Sequence, residues 1–202
     1  DRGLAGAYNT NVIRAAEQEI QDARSKGLDY SLVTVGRKAE GYFRFRNFDI
    51  DASFSGFTDR PTYEEAVAIA ARVTDMFVNG GCDRIDLAYT RFITLGTQEV
   101  VVRRFLPLES EATIASAGDA GATAGFEFEP SANAVLESLL PRYIESRIYA
   151  ALLDAAASEL ANRQRAMKSA TDNAQELIIK YTRKMNQVRQ EAITTEIMEI
   201  IS

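Results

Sequence analysis

The chain has 202 residues, of which 46% are hydrophobic and 26% are charged, with a formal net charge of −6 and no histidine. Such a composition is ordinary for a folded protein, and the length suits one domain plus an extension. The lack of histidine excludes Ser-His-Asp and Cys-His catalytic arrangements and removes the commonest zinc ligand. No apolar run approaches the roughly 18 residues that a membrane-spanning helix needs.

The first half of the sequence alternates between helical and strand patterns. Hydrophobic periodicity and chain breakers predict a helix over 10–26, a strand over 30–35, a helix over 37–45 and a strand over 52–57. Thr62 and Glu65 then have capping-box spacing and predict a helix that ends near Val78. Alternation of helices and strands predicts an α/β layer.

Two further strands are predicted over 84–92 and 99–106. The connection between them, about six residues, is too short for a crossover helix, so we expect an antiparallel pair. The sheet is therefore predicted to be mixed. Gly3 and Gly6 do not complete a Gly-x-Gly-x-x-Gly fingerprint, and they indicate a turn rather than a dinucleotide site.

Residues 109–125 are small and polar, which predicts a flexible loop. Pro130 and Ser131 are expected to open a short helix that Pro141 interrupts, because proline lacks an N–H and clashes with the preceding turn. We therefore predict an α/β domain over residues 1–130 and a helical region over residues 131–202, with its long helix from about residue 142.

Residues 142–202 contain neither proline nor glycine and predict one helix, which would be roughly 90 Å long at 1.5 Å per residue. Its apolar residues recur at steps of three, four or seven, the spacing of a coiled-coil seam. We call these nine residues the seam: Leu160, Met167, Ala170, Ala174, Leu177, Tyr181, Met185, Val188 and Ala192.

Basic side chains are concentrated on the same helix. Between Arg163 and Gln190 there are seven basic residues and two acidic ones, about +5, which leaves the remainder of the chain near −11. Such a band can meet an acidic protein surface, anionic lipid or nucleic acid, or it can be an ordinary solvated helix face. The acidic remainder argues against nucleic acid, since it would repel phosphates.

Four stretches of sequence match one family in that family's own order. They are Asp1–Asn11, Leu139–Tyr143, Arg163–Ala174 and Met185–Ile201. Together they resemble the gamma subunit of bacterial F-type ATP synthases, the central rotor shaft. The resemblance implies a Rossmann-like α/β foot with a mixed sheet and a long C-terminal coiled-coil helix. It also implies no catalytic residue, no metal and no cofactor in this chain.

The resemblance further implies a function and a set of partners. The expected function is coupling of proton translocation through a membrane ring to ATP synthesis or hydrolysis in a hexamer of alpha and beta subunits. Partners would be those subunits, the epsilon subunit and the proton ring, at the cytoplasmic face of the cell membrane and without insertion into lipid. In the family, polar side chains called the catch contact the catalytic subunits, and Arg163, Gln190 and Thr194 occupy the matching positions.

The family pattern also places a long helix and the first strand of the sheet ahead of the Asp-Arg-Gly-Leu motif, with which this sequence begins at Asp1. That helix would cover the seam, so the resemblance implies a coiled-coil partner helix that this sequence does not contain.

Two other functions remain open from the residues alone. A coiled-coil scaffold or adaptor with an α/β head fits the periodicity, and co-purification with alpha and beta subunits would exclude it. A small nucleotide-binding enzyme fits the α/β layer, and saturable micromolar nucleotide binding would support it.

Overall fold

The computed structural model describes residues 1–107 and 132–201, with residues 132–137 described by their backbone alone. The elements in chain order are α1 (Tyr8–Ser25), β1 (Val33–Val35), α2 (Arg37–Phe45), β2 (Ala52–Phe54), α3 (Tyr63–Val78), β3 (Ile85–Phe92), β4 (Gln98–Leu106) and α4 (Ala132–Ile201). The predicted order is confirmed, although β1 and β2 are shorter than predicted. The loop predicted over 109–125 and the helix start predicted at Pro130 and Ser131 lie outside the described residues.

The described strands pair as two sheets of two strands. β1 and β2 are parallel, with Thr34 opposite Ser53, and α2 connects them as a βαβ unit. β3 and β4 are antiparallel, as the short connection predicted, with Tyr89 opposite Val101. Both strand directions of the predicted mixed sheet are therefore present.

α3 begins where its sequence predicts. The Glu65 carboxylate accepts a hydrogen bond from the backbone N–H of Thr62, which satisfies a donor that the first helical turn leaves free. The helix ends at Val78, and Gly80 follows with φ of 72°, a conformation that glycine adopts without strain. The predicted capping box is confirmed.

The main hydrophobic core joins α3, the end of β4 and the lower part of α4. Its buried residues are Ala66, Ile69, Ala70, Val73, Phe105, Leu106, Ile144 and Ile148. A smaller cluster packs Ile13 and Ile20 of α1 against Phe43 of α2. Burial of a Val, Leu, Ile or Phe side chain contributes about 1.5–3 kcal/mol, so the core holds the lower part of α4 on the α/β layer.

α4 is one helix of 70 residues, and the predicted interruption at Pro141 is wrong. The proline costs one backbone hydrogen bond, but Ile144 and Ile148, one and two turns later, are buried in the main core. Their packing offsets the loss. At 1.5 Å per residue the helix is roughly 105 Å long, and it does not fold back as a hairpin.

Candidate subunit-contact surface of the long helix

The side chains of α4 change from buried to exposed along the helix. Ile144, Ile148, Ala151, Ser158 and Ala161 are buried against the α/β layer. From residue 167 to residue 201 every residue is exposed. This upper segment, roughly 50 Å long at 1.5 Å per residue, therefore rises free of the rest of the described chain.

All nine seam residues are exposed, Leu160 by 63% and Tyr181 by 67%. At about 100° per residue they fall within an arc of roughly 100° on one side of the helix. Ile178, exposed by 65%, lies in the same arc although it was not assigned to the seam. Continuous apolar stripes of this kind are typical of surfaces that pack against another helix or protein.

The tip of α4 is apolar on several sides. Five large apolar side chains near the end are all exposed: Ile193, Ile197, Met198, Ile200 and Ile201. Successive positions such as Ile197 and Met198 differ by about 100° around a helix, so they cannot share one stripe. Together the five cover roughly 160° of the helix surface, and the remaining side is acidic. So wide an apolar face is typical of a helix that packs against protein. The seam's periodicity does not predict this wider apolar face, although the sequence Ile-Met-Glu-Ile-Ile at the tip contains it.

Polar contacts fasten the base of the exposed segment to the β3–β4 hairpin. Ser158 donates to the backbone carbonyl of Thr90 at 3.2 Å, and the Asn162 amide donates to the Gln98 side chain at 3.2 Å. The Arg165 guanidinium donates to two carbonyls of the hairpin turn, those of Leu95 at 3.1 Å and Gly96 at 3.0 Å. The contacts lie on the side of α4 away from the seam, which leaves the seam free.

Arg163 lies at the base of the exposed segment and on its seam side. The seam has no member between Leu160 and Met167, which are seven residues apart. Arg163 lies between them, three residues after Leu160 and four before Met167, and so faces the same side. Its guanidinium forms an ion pair with Glu159, and its side chain is 24% exposed. Glu159 itself is buried. Burial, together with the Glu159 charge, raises the pKa of the nearby Tyr8.

Gln190 and Thr194 share one face near the tip. The Thr194 hydroxyl donates to the Gln190 backbone carbonyl at 2.8 Å, and both residues are exposed. Gln190 lies 27 residues beyond Arg163, which corresponds to roughly 40 Å along the helix and about half a turn around it. The structure therefore brings Gln190 and Thr194 together and places Arg163 apart from them.

Five basic side chains on the exposed segment have no ion pair within residues 1–107 and 132–201: Lys168, Lys180, Arg183, Lys184 and Arg189. Arg163 and Arg165, by contrast, bind groups near the base. Most of the basic band is thus available to an acidic partner. Over the same described residues no group of His, Cys, Asp and Glu side chains could hold a metal ion, and no helix is apolar enough to cross a membrane.

Known proteins show the same combination of sequence and fold. A family model described as ATP synthase matches residues 1–202. The ATP synthase gamma chain of Kineococcus radiotolerans is 50% identical over 205 residues, covering 100% of this chain and 68% of the relative. That of Frankia casuarinae is 47% identical with the same coverage. The chain belongs to the ATP synthase gamma chain family.

A solved structure supports this membership at the level of the fold. The central stalk in the mitochondrial ATP synthase of Tetrahymena thermophila is 26% identical, with a TM-score of 0.67. The match covers 85% of this chain and 72% of that one. As a gamma chain, the protein has its exposed stripe and apolar tip on the helix that the family resemblance singled out.

Proposed function

We propose that this gamma chain is the central rotor subunit of an F-type ATP synthase. It couples proton translocation through a membrane ring to ATP synthesis or hydrolysis in a hexamer of alpha and beta subunits. The observation that carries the proposal is a 70-residue helix whose base is buried in an α/β layer and whose upper half is bare. Such a shaft transmits rotation and needs no catalytic group of its own.

Coupling follows from the asymmetry of the shaft. A rotor can shift the conformation of a catalytic subunit only if it contacts the alternative conformations with different free energies. The helix offers different chemistry on its sides: the seam on one, Gln190 and Thr194 on another. Each catalytic subunit therefore meets a different surface at each angle of rotation.

Two partners would cover the apolar surfaces. A second helix packs along the part of the seam above Arg163, from Met167 to Ala192, where Ala170 and Ala174 allow a close approach. The tip, which has large apolar side chains on several sides, enters the space enclosed by the alpha and beta subunits. Each partner removes apolar area from water, a gain of about 25 cal/mol per Å².

The catch residues form two separate contacts with the catalytic subunits. Gln190 and Thr194 address one loop near the tip, because residues four apart share a helix face. Arg163 binds a carboxylate of a beta subunit roughly 40 Å lower, given the rise of an α-helix. A hydrogen bond to a charged group contributes about 1.5–3 kcal/mol, enough to hold a rotor briefly at one angle.

The α/β layer and the lower helix dock onto the epsilon subunit and the membrane ring. The chain would then be peripheral, at the cytoplasmic face of the cell membrane. We expect it to leave the membrane without detergent once it is detached from the ring. Retention of the detached chain in lipid vesicles would contradict this location.

A scaffold or adaptor remains the alternative, since an exposed seam suits any helical partner. Reconstitution with alpha and beta subunits distinguishes the two functions. If the chain is a rotor subunit, adding it should change the ATPase activity of the alpha–beta hexamer, and substitutions in the chain should alter that activity. If the chain is an adaptor, the ATPase activity of the hexamer should stay the same.

The test uses the reconstituted complex with Arg163→Ala and Gln190→Leu. Both variants should assemble, and both should lower ATP synthesis and steady ATPase turnover. Gln175→Leu is the matched control, because Gln175 is also an exposed glutamine of the upper helix. If both catch variants turn over like the wild type, Arg163 and Gln190 are ordinary surface residues.

A further inference from the structure

Glu159 is a buried carboxylate on the shaft. It is 4% exposed, lies close enough to Tyr8 to affect the pKa of that phenol, and belongs to the part of α4 held against the α/β layer. In the described ranges its one ion pair is with Arg163, four residues further along the helix. A buried carboxylate needs a compensating charge, and Arg163 supplies it by direct contact, while the Asp1 ammonium adds a longer-range attraction.

The contact with Glu159 also restrains Arg163, but it uses only part of the hydrogen-bonding capacity of the guanidinium. A guanidinium has five N–H donors, and the hydrogen bond of Arg163 to Glu159 is made through Nη2. No other hydrogen bond of Arg163 occurs among the described residues. The side chain remains 24% exposed. An edge of the guanidinium is therefore available to an incoming carboxylate while Glu159 still holds the group.

The pairing disfavours an arginine that swings outward. Moving the guanidinium away would deprive the buried Glu159 carboxylate of its ion-pair partner, which is destabilising. The neighbouring arginine offers a contrast, because Arg165 is exposed and binds backbone carbonyls of the hairpin turn rather than a buried charge. Arg163 is thus fixed relative to the shaft axis.

We propose that Glu159 is a positioning residue for the rotor contact of Arg163. It fixes the guanidinium on the shaft, so that a carboxylate of a beta subunit can bind it only over a narrow range of rotor angles. This inference rests on the proposed function of Arg163 as a catch residue. Without Glu159 the arginine becomes a mobile side chain, which can follow the carboxylate over a wider arc.

The experiment compares Glu159→Gln, Arg163→Ala and the double variant in the reconstituted complex. Single-molecule rotation of an attached bead gives the angular width of each pause, and bulk assays give ATPase turnover. We expect a wider pause distribution in Glu159→Gln. Arg163→Ala should lose roughly tenfold in turnover, because it removes a hydrogen bond between charged groups. Glu159→Gln should lose less, roughly threefold, because the guanidinium keeps its charge and is only less well positioned. The double variant should be no slower than Arg163→Ala alone.

Ser158→Ala is the matched control for a merely structural effect, because Ser158 is the adjacent buried residue and contacts Thr90 rather than Arg163. It should leave the pause width at the wild-type value. Glu159→Asp retains the charge and should restore part of the narrow distribution. If Glu159→Gln does not assemble, the pause widths of Glu159→Asp and Ser158→Ala are compared instead. The aspartate carboxylate lies farther from Arg163 because its side chain is shorter, so it should still widen the pause.

The outcomes separate this inference from the proposed function. Wild-type turnover in Arg163→Ala would overturn the catch itself. A slow Arg163→Ala complex beside a Glu159→Gln complex with wild-type pause width and turnover would overturn the positioning role alone. Equal widening in Ser158→Ala and in the Glu159 variant measured would also overturn it, because general loosening of the junction would then explain the effect.

Discussion

Ser158 of α4 donates a hydrogen bond to the backbone carbonyl of Thr90 in β3, at 3.2 Å. Ser158 is completely buried, and Thr90 is 4% exposed. The bond links the shaft to a strand 68 residues earlier in the chain. Water cannot replace it easily at this depth, so it fixes where the helix crosses the hairpin.

Removal of this bond should loosen the junction without creating a large cavity. We expect Ser158→Ala to lower the free energy of unfolding by about 1 kcal/mol, the net value of a typical intramolecular hydrogen bond. Denaturant unfolding of the chain measures the change. Ser169→Ala serves as the control because Ser169 is exposed on the same helix. An equal effect of the two substitutions would show that the Thr90 contact adds nothing.

The seam should require small apolar residues in the assembled complex. Ala174 is exposed in the chain alone, but a helix packed on the seam would bury it. Ala174→Glu would then place an unpaired carboxylate in a close interface, which is costly. We expect loss of assembly on size-exclusion chromatography.

Asn186→Glu controls for the added charge in this experiment. Asn186 is exposed and lies 12 residues beyond Ala174, which is about 120° around the helix. Its complex should form normally. Wild-type assembly and thermal stability of Ala174→Glu would mean that the seam stays open to solvent.

Tyr8 should make the stability of the chain fall at alkaline pH. Burial and the Glu159 charge raise the pKa of Tyr8 in the folded state. Stability from this residue is therefore complete below about pH 10, the ordinary tyrosine value, and is lost as pH rises toward the raised value. Thermal unfolding between pH 8 and pH 11 should show a smaller fall for Tyr8→Phe than for the wild type.

Part of the alkaline fall should persist in Tyr8→Phe. Hydrogen bonds to Glu17 and Glu145 raise the pKa values of Tyr42 and Tyr63 respectively. Tyr181→Phe is the control, because Tyr181 is exposed on the seam. If Tyr8→Phe and Tyr181→Phe gave the same pH profile, Tyr8 would not be the group responsible.

Arg165 should hold the tip of the hairpin on the shaft. Its two bonds to the carbonyls of Leu95 and Gly96 bridge 70 and 69 residues of sequence. Arg165→Ala should therefore speed amide hydrogen exchange around the β3–β4 turn. Arg183→Ala removes a similar charge from the same helix and should leave that exchange unchanged. If amide exchange at the turn in Arg165→Ala were as slow as in the wild type, the hairpin would be ordered without the help of Arg165.

Local sequence determines the elements that were predicted well. Thr62 and Glu65 are close in sequence, so their capping box was visible before the fold was known. The connection between β3 and β4 is likewise short enough to predict that the two strands pair in antiparallel fashion. Continuation of α4 through Pro141 cannot be predicted from local sequence, because its cause is the packing of Ile144 and Ile148 against residues far away in the chain.

The contact surface also combines features that local sequence predicts with features that depend on tertiary packing. Periodicity predicts the seam, since it needs only the helical repeat. The restraint on Arg163 depends on the burial of Glu159, and burial depends on what α1 and the hairpin place beside it. No spacing rule distinguishes this pair from an ordinary exposed one at the same separation.

The bare upper half of α4 has a consequence for how the chain loses structure. Opening free energies in a protein vary with local packing, and backbone amides report them individually. Beyond residue 167 every described side chain is exposed, so within the described ranges no buried packing opposes fraying and the amides are protected mainly by the helix itself. Protection should therefore decline from the base toward Ile201, and the chain melts from its tip. Once other subunits surround the shaft, the amides near the tip should be protected about as well as those near the base. The change in amide protection along α4 therefore reports whether the chain is assembled.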